Sequence, residues 1–326
     1  MADGDVFAGI DLGGTKILVL VTDAHGKVLG ETKIATQASG GVQAVIGRMV
    51  QATNEAAAEA KAEPAAIRAI GVSAPGPIDA AEGVITDPPN LPGWHNVPLV
   101  RILRERFDRP VVLENDANCQ GVAEHQFGAG RGYRHVIFLT ISTGIGGGII
   151  IDNDLYTGAS GAAGELGHVA VATEGPVCGA GHVGCLEAFA SGTAIARQAQ
   201  ELIDAGQLPR TARIAEHNPP LDAEDVYRAS QEGEGEAGAI IERAGRYLGI
   251  GLASMMNAFN PQAIVLGGGM MNMGEAILGP AIRVARERAF GQAFADAQVV
   301  EGTLGERAAA LGAIAVARHR VETGVL

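Results

Sequence analysis

Residues 6–22 have the sequence VFAGIDLGGTKILVLVT, in which a glycine-containing turn separates two apolar runs. The runs at 6–11 and 17–22 have the length and apolar content of buried strands. A third run of this kind covers 28–34, after the turn DAHG at 23–26. The stretch therefore predicts an antiparallel unit of three strands at the start of the chain.

The first turn of this unit suits binding of phosphate. Gly13 and Gly14 allow the backbone to approach a ligand, while Thr15 and Lys16 offer a hydroxyl and a positive charge. A Walker A loop would need Gly-Lys-Ser/Thr leading into a helix, and a Rossmann fingerprint would also need a helix after its glycines. An ordinary hairpin turn is the alternative that this loop alone leaves open.

A second glycine loop repeats the pattern. Residues 135–151, HVIFLTISTGIGGGIII, again give strand, glycine turn and strand, which indicates an internal duplication. If the two hairpins face each other, backbone N–H groups around Thr143, Gly144 and Gly146 point at the same phosphates as the first loop.

A third glycine cluster follows an apolar strand predicted at 264–266. Gly267 and Gly268 suit the close approach of a flat ring such as adenine. Packing of the strand against a helix would explain some glycine here, but three in succession exceed what packing needs.

The remaining chain alternates between strands and helices, which indicates an α/β architecture. Further strands are predicted at 67–72 and 111–113. Helices are predicted at 42–61, 99–107, 117–127, 187–205, 237–259 and 308–321. Residues 209–236 are polar, acidic and rich in proline and glycine, and they predict a surface excursion.

Length and composition narrow the functional classes. A chain of 326 residues exceeds one ordinary hydrophobic core, so two domains are expected. A formal net charge of −13 argues against nucleic acid or an anionic membrane as partner. The acidic N-terminus lacks the features of a secretion signal, and no apolar run approaches a membrane span. Three cysteines do not suggest a disulfide framework, so a cytoplasmic location is expected.

Asp116 lies between the strand predicted at 111–113 and the helix predicted at 117–127. From that position alone, the side chain is interpreted as a helix N-cap.

Seven motifs together resemble the ROK family of repressors and sugar kinases, within the actin/hexokinase superfamily. They are GIDLGGTK at 9–16, SAPGPID at 73–79, PNLPGW at 89–94, ENDANC at 114–119, STGIGGG at 142–148, GELGH at 164–168 and GCLEAFASG at 184–192. The resemblance covers essentially the whole chain, and within the family the pattern is similar to bacterial glucokinases.

The resemblance implies two ribonuclease-H-like α/β domains. The first would cover about 2–116 together with a C-terminal helix at 307–326, and the second about 117–306. Sugar and nucleotide are expected in the cleft between them, and family members suggest a homo-oligomer, a dimer or a tetramer.

The resemblance also implies a reaction, the transfer of the γ-phosphoryl group of ATP to the 6-hydroxyl of a hexose, expected to be glucose. Asp116 would be the catalytic base, compatible with a capping role, and Asp11 would hold Mg²⁺ through water. The sugar would be bound by Gly76, Asn90, Asn115, Asp116, Glu165, His168 and Glu187. Taken singly, Glu165 and Glu187 would more often be solvated surface charges.

The resemblance also implies a structural Zn²⁺ site. The family pattern combines the histidine of GELGH with three cysteines, and here His168, Cys178 and Cys185 match three of the four positions. Ala180 stands where the remaining cysteine is expected. His182, another residue, water or the absence of metal are the alternatives for the fourth position. Cys119 is interpreted as a small helix residue.

The sequence leaves other functions open. Other substrates are fructose, mannose, N-acetylglucosamine and N-acetylmannosamine, and polyphosphate could replace ATP as donor. A transcriptional repressor would carry a helix-turn-helix domain before the first glycine loop, whereas only a short segment, Met1 to Phe7, lies ahead of that motif here. A sugar-responsive protein without catalysis is a further alternative, although the acidic and amide residues of the site argue against it.

Overall fold

The structure is a computed structural model, in which residues 5–63, 66–207 and 221–324 are described. The strands are β1 Val6–Leu12, β2 Lys16–Asp23, β3 Val28–Ala35, β4 Ile67–Ala74, β5 Ile78–Asp79, β6 Val84–Ile85, β7 Val111–Asn115, β8 Val136–Ile141, β9 Ile145–Ile151, β10 Asp154–Leu155, β11 Ala263–Gly267 and β12 Gln298–Glu301. The α-helices are α1 Val42–Glu59, α2 Leu99–Phe107, α3 Asp116–Phe127, α4 Leu186–Ala190, α5 Gly192–Asp204, α6 Ala223–Gln231, α7 Gly235–Phe259, α8 Glu275–Arg288, α9 Gly291–Asp296 and α10 Ala308–Thr323.

The chain divides into two compact units. The first contains Met1–Gly132, Gly148–Ala163 and Gly302–Leu326, and the second contains Tyr133–Gly147 and Gly164–Glu301. This grouping puts α3 with the strands that precede it, whereas the sequence placed a boundary at residue 116. The domain limits expected from the sequence stay a prediction.

The first unit is built on a five-stranded sheet in the order β3-β2-β1-β4-β7. Strands β1, β2 and β3 are antiparallel, and β1, β4 and β7 are parallel. The antiparallel unit predicted from residues 6–34 is therefore confirmed. Apolar side chains of the sheet and of α1 and α2 form a core that includes Trp94, which is fully buried.

The second sheet has the order β10-β9-β8-β11-β12, which matches the first: three strands that are consecutive in the chain, followed by two strands parallel to β8. The matching order confirms the duplication inferred from residues 135–151. Long helices α7 and α8 pack closely in the second unit, because Gly245 and Gly249 leave room for the backbone of Ile277 and Ala281.

Two predictions from the sequence need correction. The helix expected at 187–205 is two helices, α4 and α5, because Ser191 is extended and its hydroxyl accepts a hydrogen bond from the Ala194 N–H at 3.1 Å. The excursion expected at 209–236 is wrong in its second part. There α6 begins with a capping box between Asp222 and Asp225, and residues 209–220 lie outside the described residues.

Several elements were not predicted from the sequence. They are α8, α9, β10, β12 and the short hairpin of β5 and β6. None of the described helices combines the length and the apolar character that crossing a membrane would require.

Candidate active site

The predicted site residues fall on both units. The first unit carries Asp11, Gly13, Gly14, Thr15, Lys16, Gly76, Asn90, Asn115 and Asp116. The second carries Thr143, Gly144, Gly146, Glu165, His168, Cys178, Cys185, Glu187, Gly267 and Gly268.

A cavity of about 260 Å³ in the first unit brings most of that unit's candidates together. Its lining residues are Asp11, Leu12, Gly13, Gly14, Lys16, Pro75, Asn90, Asp116, Gln120, Gly305, Glu306 and Ala309. The turn of the β1–β2 hairpin and the start of α3 therefore border the same space.

The hairpin turn lies so close to Asn90 that there is no room for a side chain at Gly14. A Cβ atom on Gly14 would lie 2.7 Å from the carbonyl oxygen of Asn90, closer than real Cβ contacts come. The turn is closed by a hydrogen bond from the Gly13 N–H to the Lys16 carbonyl, 2.9 Å, and the Thr36 hydroxyl donates to the Gly13 carbonyl at 2.6 Å. These contacts hold the loop against Asn90.

The start of α3 separates two roles that the sequence assigned to one residue. Asn115, not Asp116, is the N-cap, since its Oδ1 accepts hydrogen bonds from the N–H groups of Ala117 at 2.9 Å and Asn118 at 3.2 Å. Asp116 is the first helical residue, and its Oδ1 also accepts from the Ala117 N–H, at 2.8 Å. The capping interpretation of Asp116 is corrected accordingly.

This capping limits what Asn115 can offer a ligand. With Oδ1 engaged by two backbone donors, the Nδ2 group is the part of the amide left to donate. A Cβ atom built on Gly76 would lie 3.5 Å from that nitrogen, so Gly76 keeps the space beside it small but open. Asn115 can therefore bind a ligand as a hydrogen-bond donor.

Asp11 has an unusual protonation equilibrium. Burial and the nearby negative charge of Asp116 raise the pKa of its carboxyl from 3.8 to about 6. A hydrogen bond from the Ser73 hydroxyl to Asp11 Oδ1, 3.1 Å, and the positive charge of Lys16 oppose that rise. Two carboxylates thus interact in the cavity, an arrangement that favours a bound cation.

The second unit ties its glycine loop to Glu187. Glu187 Oε2 accepts a hydrogen bond from the Ile145 N–H at 3.0 Å, and a Cβ atom on Gly144 would lie 2.6 Å from the same oxygen. The Thr143 carbonyl accepts from the Thr193 hydroxyl at 2.8 Å. A residue expected to bind sugar therefore also fixes the loop expected to bind phosphate, and Gly146 continues that loop in β9.

His168 stands between a carboxylate and a thiol. Its Nε2 is 3.9 Å from Glu165 Oε2, and its Nδ1 is 3.6 Å from Cys178 Sγ. The ring also meets the ring of His182 edge-on, with centroids 5.3 Å apart. Donor atoms of His168, Cys178 and His182 all lie within 4.8 Å of one another.

This cluster differs from the ligand set expected from the sequence, which had Cys185 as the third member. Cys185 is buried beside Cys178, in contact with its thiol, but it does not belong to the group of three mutually close donors. Nitrogen and sulfur donors in this number and proximity suit Zn²⁺. The donor set therefore fits the metal, with His182 two positions after Ala180, which stands where a cysteine was expected.

Packing explains most of the third glycine cluster. A Cβ atom on Gly267 would lie 3.1 Å from the Phe138 ring, and Gly268 has φ of 91° with its Cα facing the backbone of Ile141. Only Gly269 opens onto free space. The inference that three glycines exceed the needs of packing is therefore wrong for two of them, and an adenine site at Gly267 and Gly268 stays a prediction.

Comparison with known proteins shows where the chain belongs. The model of the ROK family matches residues 7–320. The chain belongs to the ROK family. It is 36% identical to a glucokinase of Thermotoga maritima, over 96% of this chain and 97% of that protein. It is 32% identical to a xylose repressor of Caldicellulosiruptor bescii, over 94% of this chain and 77% of that protein.

Solved structures agree with this membership. A ROK hexokinase from Thermus thermophilus superposes with a TM-score of 0.84 at 37% identity, covering 98% of this chain and 100% of that one. A ROK glucokinase from Streptomyces griseus, solved with glucose and AMPPNP, gives a TM-score of 0.79 at 33% identity, covering 96% and 99%. The α/β fold of the actin/hexokinase superfamily is thereby confirmed.

Three residues of these sites were missed or left open by sequence reasoning. Ser73 lies in the motif at 73–79 and could have been found from its place at the end of a strand beside β1. Glu306 is 290 positions from its partner Lys16, and no local pattern indicates that pair. His182 was named only as one alternative for the metal.

Proposed function

We propose that this ROK protein is an ATP-dependent kinase that transfers the γ-phosphoryl group to the 6-hydroxyl of glucose. The observation that carries this proposal is the meeting of Asp116, Asp11 and the turn of the β1–β2 hairpin around one cavity. Kinases accelerate phosphoryl transfer mainly by positioning the reactants and by neutralising the charge of the phosphates. The chain offers a base, an acidic metal ligand and glycines at the loop where each is needed.

Asp116 acts as the general base. It accepts the proton of the sugar hydroxyl as that oxygen attacks the phosphorus atom, an effect worth about 10²–10⁴ in rate. The hydrogen bond from the Ala117 N–H holds one of its oxygens and fixes the orientation of the carboxyl group.

Asp11 would hold a magnesium ion. Carboxylate oxygens are ligands that Mg²⁺ accepts, and a cation would offset the repulsion between the negative charges of Asp11 and Asp116. Bound there, the ion would neutralise charge on the donor phosphates. The backbone of Gly13 and Gly14 and the Lys16 ammonium would contact the same phosphates.

Glu165, His168 and Glu187 are the side chains that we propose to bind ring hydroxyls, together with the Nδ2 group of Asn115. Glu165 and the Nε2 atom of His168 lie close enough to form hydrogen bonds with neighbouring hydroxyls of one sugar. Each sugar hydroxyl left without a partner in a buried site would cost about 1–3 kcal/mol, so such a set of polar groups suits a hexose. Glucose is the sugar that the Streptomyces griseus structure contains.

A coupled assay tests the kinase and its substrate. ATP turnover is measured with glucose, fructose, mannose, N-acetylglucosamine and N-acetylmannosamine. Glucose should give the highest kcat/KM, and Asp116→Asn should lower kcat by about 10²–10⁴ while glucose still binds. Asp108→Asn, an exposed acidic residue of the same unit, is the control and should behave as the wild type. Full activity of the Asp116 variant contradicts the assignment of the base.

We further propose a structural Zn²⁺ held by His168, Cys178 and His182, with Cys185 completing the set after a small side-chain movement. The Nδ1 atom of His168 faces Cys178, so metal binding there would leave Nε2 for the sugar. The ion would brace the loop that carries His168.

Metal analysis tests this site independently of activity. Wild type purified with zinc should contain about one equivalent, and His182→Ala should lose most of it and melt at a lower temperature. His95→Ala, which changes an exposed histidine elsewhere, should retain the metal. Equal zinc content in the His182 and His95 variants removes His182 from the ligand set.

A regulator is the second candidate, because a xylose repressor is among the relatives. A protein of that kind would bind a sugar without phosphorylating it. Calorimetric binding of glucose or xylose, with no phosphorylation of any hexose in the panel, would favour this function over the kinase. A homo-oligomer and a cytoplasmic location remain predictions from the sequence.

A further inference from the structure

Glu306 forms ion pairs with two lysines beside the turn of the β1–β2 hairpin. Its Oε2 atom lies 3.0 Å from Lys16 Nζ and 2.7 Å from Lys33 Nζ. The two ammonium groups lower the pKa of Glu306 to about 2, so its carboxylate is charged throughout the neutral range. The next residue, Arg307, pairs with Glu31 at 2.6 Å and anchors this turn to β3.

The ion pair with Glu306 engages Lys16, whose ammonium group is the positive charge that the cavity offers to an anion. Among the described residues lining the cavity, Lys16 is the only basic one, and Asp11, Asp116 and Glu306 are all acidic. A donor phosphate that approaches Lys16 therefore meets an ammonium group that already has a carboxylate partner. Glu306 and the donor phosphate would therefore compete for the same ammonium group.

We infer that Glu306 sets the affinity for the phosphoryl donor by competing with its phosphates for Lys16, and that Lys33 receives Glu306 when the phosphates displace it. This inference rests on the proposed function, because it assigns Lys16 to the donor. The three side chains are between 37% and 50% exposed, and exposed ion pairs exchange partners at little cost.

The part played by Lys33 follows from the geometry. Lys33 Nζ lies closer to Glu306 than Lys16 Nζ does. When phosphate takes Lys16, the carboxylate keeps one partner and need not remain unpaired beside an anion. Loss of Lys33 should therefore strengthen the hold of Glu306 on Lys16 and weaken binding of the donor.

The test measures binding of Mg-AMPPNP by calorimetric titration without sugar, so that catalysis does not enter. Glu306→Gln should lower Kd about two- to fivefold, the range expected for an exposed ion pair. Glu31→Gln removes the same charge from the partner of Arg307 and should change Kd much less. An unchanged or higher Kd in the Glu306 variant overturns the inference.

A double-mutant cycle separates competition from a general effect of charge or structure. Lys33→Ala should raise Kd clearly when Glu306 is present and much less in the Glu306→Gln background. Equal effects in both backgrounds contradict the exchange of partners. The difference between wild type and Glu306→Gln should also shrink as salt rises from 50 mM to 500 mM, because added salt screens exposed charges.

These outcomes are distinguishable from failure of the proposed function. If the wild type binds Mg-AMPPNP and Glu306→Gln binds it more tightly, but no hexose is phosphorylated, the kinase assignment fails and the role of Glu306 stands. If hexose phosphorylation is observed and the titrations of the two proteins coincide, only the role of Glu306 fails.

Discussion

Replacing Asp11 by asparagine should make the protein more stable at neutral pH while impairing its activity. The change keeps the size of the side chain and the oxygen that accepts the Ser73 hydrogen bond, but it removes the charge. The pKa of Asp11 is about 6 in the folded protein against an ordinary 3.8. Since one pKa unit corresponds to about 1.4 kcal/mol, the ionised carboxylate destabilises the folded state by about 3 kcal/mol.

The sign of the pH dependence follows from the raised pKa. Between pH 3.8 and about 6 the folded protein holds a proton that the unfolded chain has released, so the wild type loses stability as pH rises through this window. Asp11→Asn does not lose stability in this way, because asparagine does not ionise. The variant should therefore equal the wild type near pH 4 and exceed it by up to about 3 kcal/mol above pH 7.

Trp94 makes the measurement specific to the first unit. It is the only tryptophan of the chain, and it is fully buried in the core of the unit that contains Asp11. Urea unfolding followed by its fluorescence, from pH 4 to pH 8, gives the free energy of unfolding of that unit. Asp108→Asn is the control, because Asp108 is exposed and its left-handed backbone tolerates asparagine.

Magnesium supplies a second arm of the same experiment. If Asp11 holds the ion, adding Mg²⁺ should stabilise the wild type and leave Asp11→Asn unchanged. A difference in stability that is the same at pH 4 and pH 8 would refute the electrostatic reasoning. A variant no more stable than the wild type at pH 8 would refute it as well.

Three further predictions concern activity. Gly14→Ala should raise the KM for ATP at least tenfold because its Cβ would lie 2.7 Å from a carbonyl oxygen, whereas Gly47→Ala, with open space around it, should not. Asn115→Asp keeps the capping oxygen and loses the amide donor, so kinetics should show a higher KM for glucose with α3 still folded by circular dichroism. A pH series should show kcat/KM for MgATP falling as pH drops through about 6, when Asp11 gains a proton, and Asp116→Asn should move that fall to lower pH.

The sequence predicted the hairpin strands and the helix after Asp116 because their apolar patterns are local. It missed α8 because Gly279 and Pro280 suggest a break, while the structure has Pro280 inside that helix. The helix is supported from outside, since Gly245 of α7 admits the backbone of Ile277. Such support depends on residues distant in the chain, and a local pattern does not contain it.

The site, like the fold, combines features that the sequence predicts with features that depend on residues distant in the chain. The resemblance supplied Asp11, Asn115 and Asp116, and the structure places all three where two strands end beside a helix start. Which of Asn115 and Asp116 caps α3 depends on backbone angles, because either side chain can accept the same hydrogen bonds. The pKa of Asp11 depends on burial and on the charge of Asp116, about a hundred positions away in the chain. Neither contribution can be predicted from the local sequence.

The C-terminal helix explains how the two acidic groups come to share one cavity. Gly9 of β1 faces Ala310 of α10 so closely that a Cβ atom would overlap the carbonyl, and Gly312 of α10 meets the backbone of Cys119 in the same way. Gly9 lies two positions before Asp11 on β1, and Cys119 lies three positions after Asp116 on α3. Because these are contacts of backbone atoms, no side-chain rotation can relieve a substitution there. The packing of a small-residue helix about two hundred positions beyond Asp116 therefore helps to fix the separation of the two carboxylates, whose repulsion adds to burial in raising the pKa of Asp11.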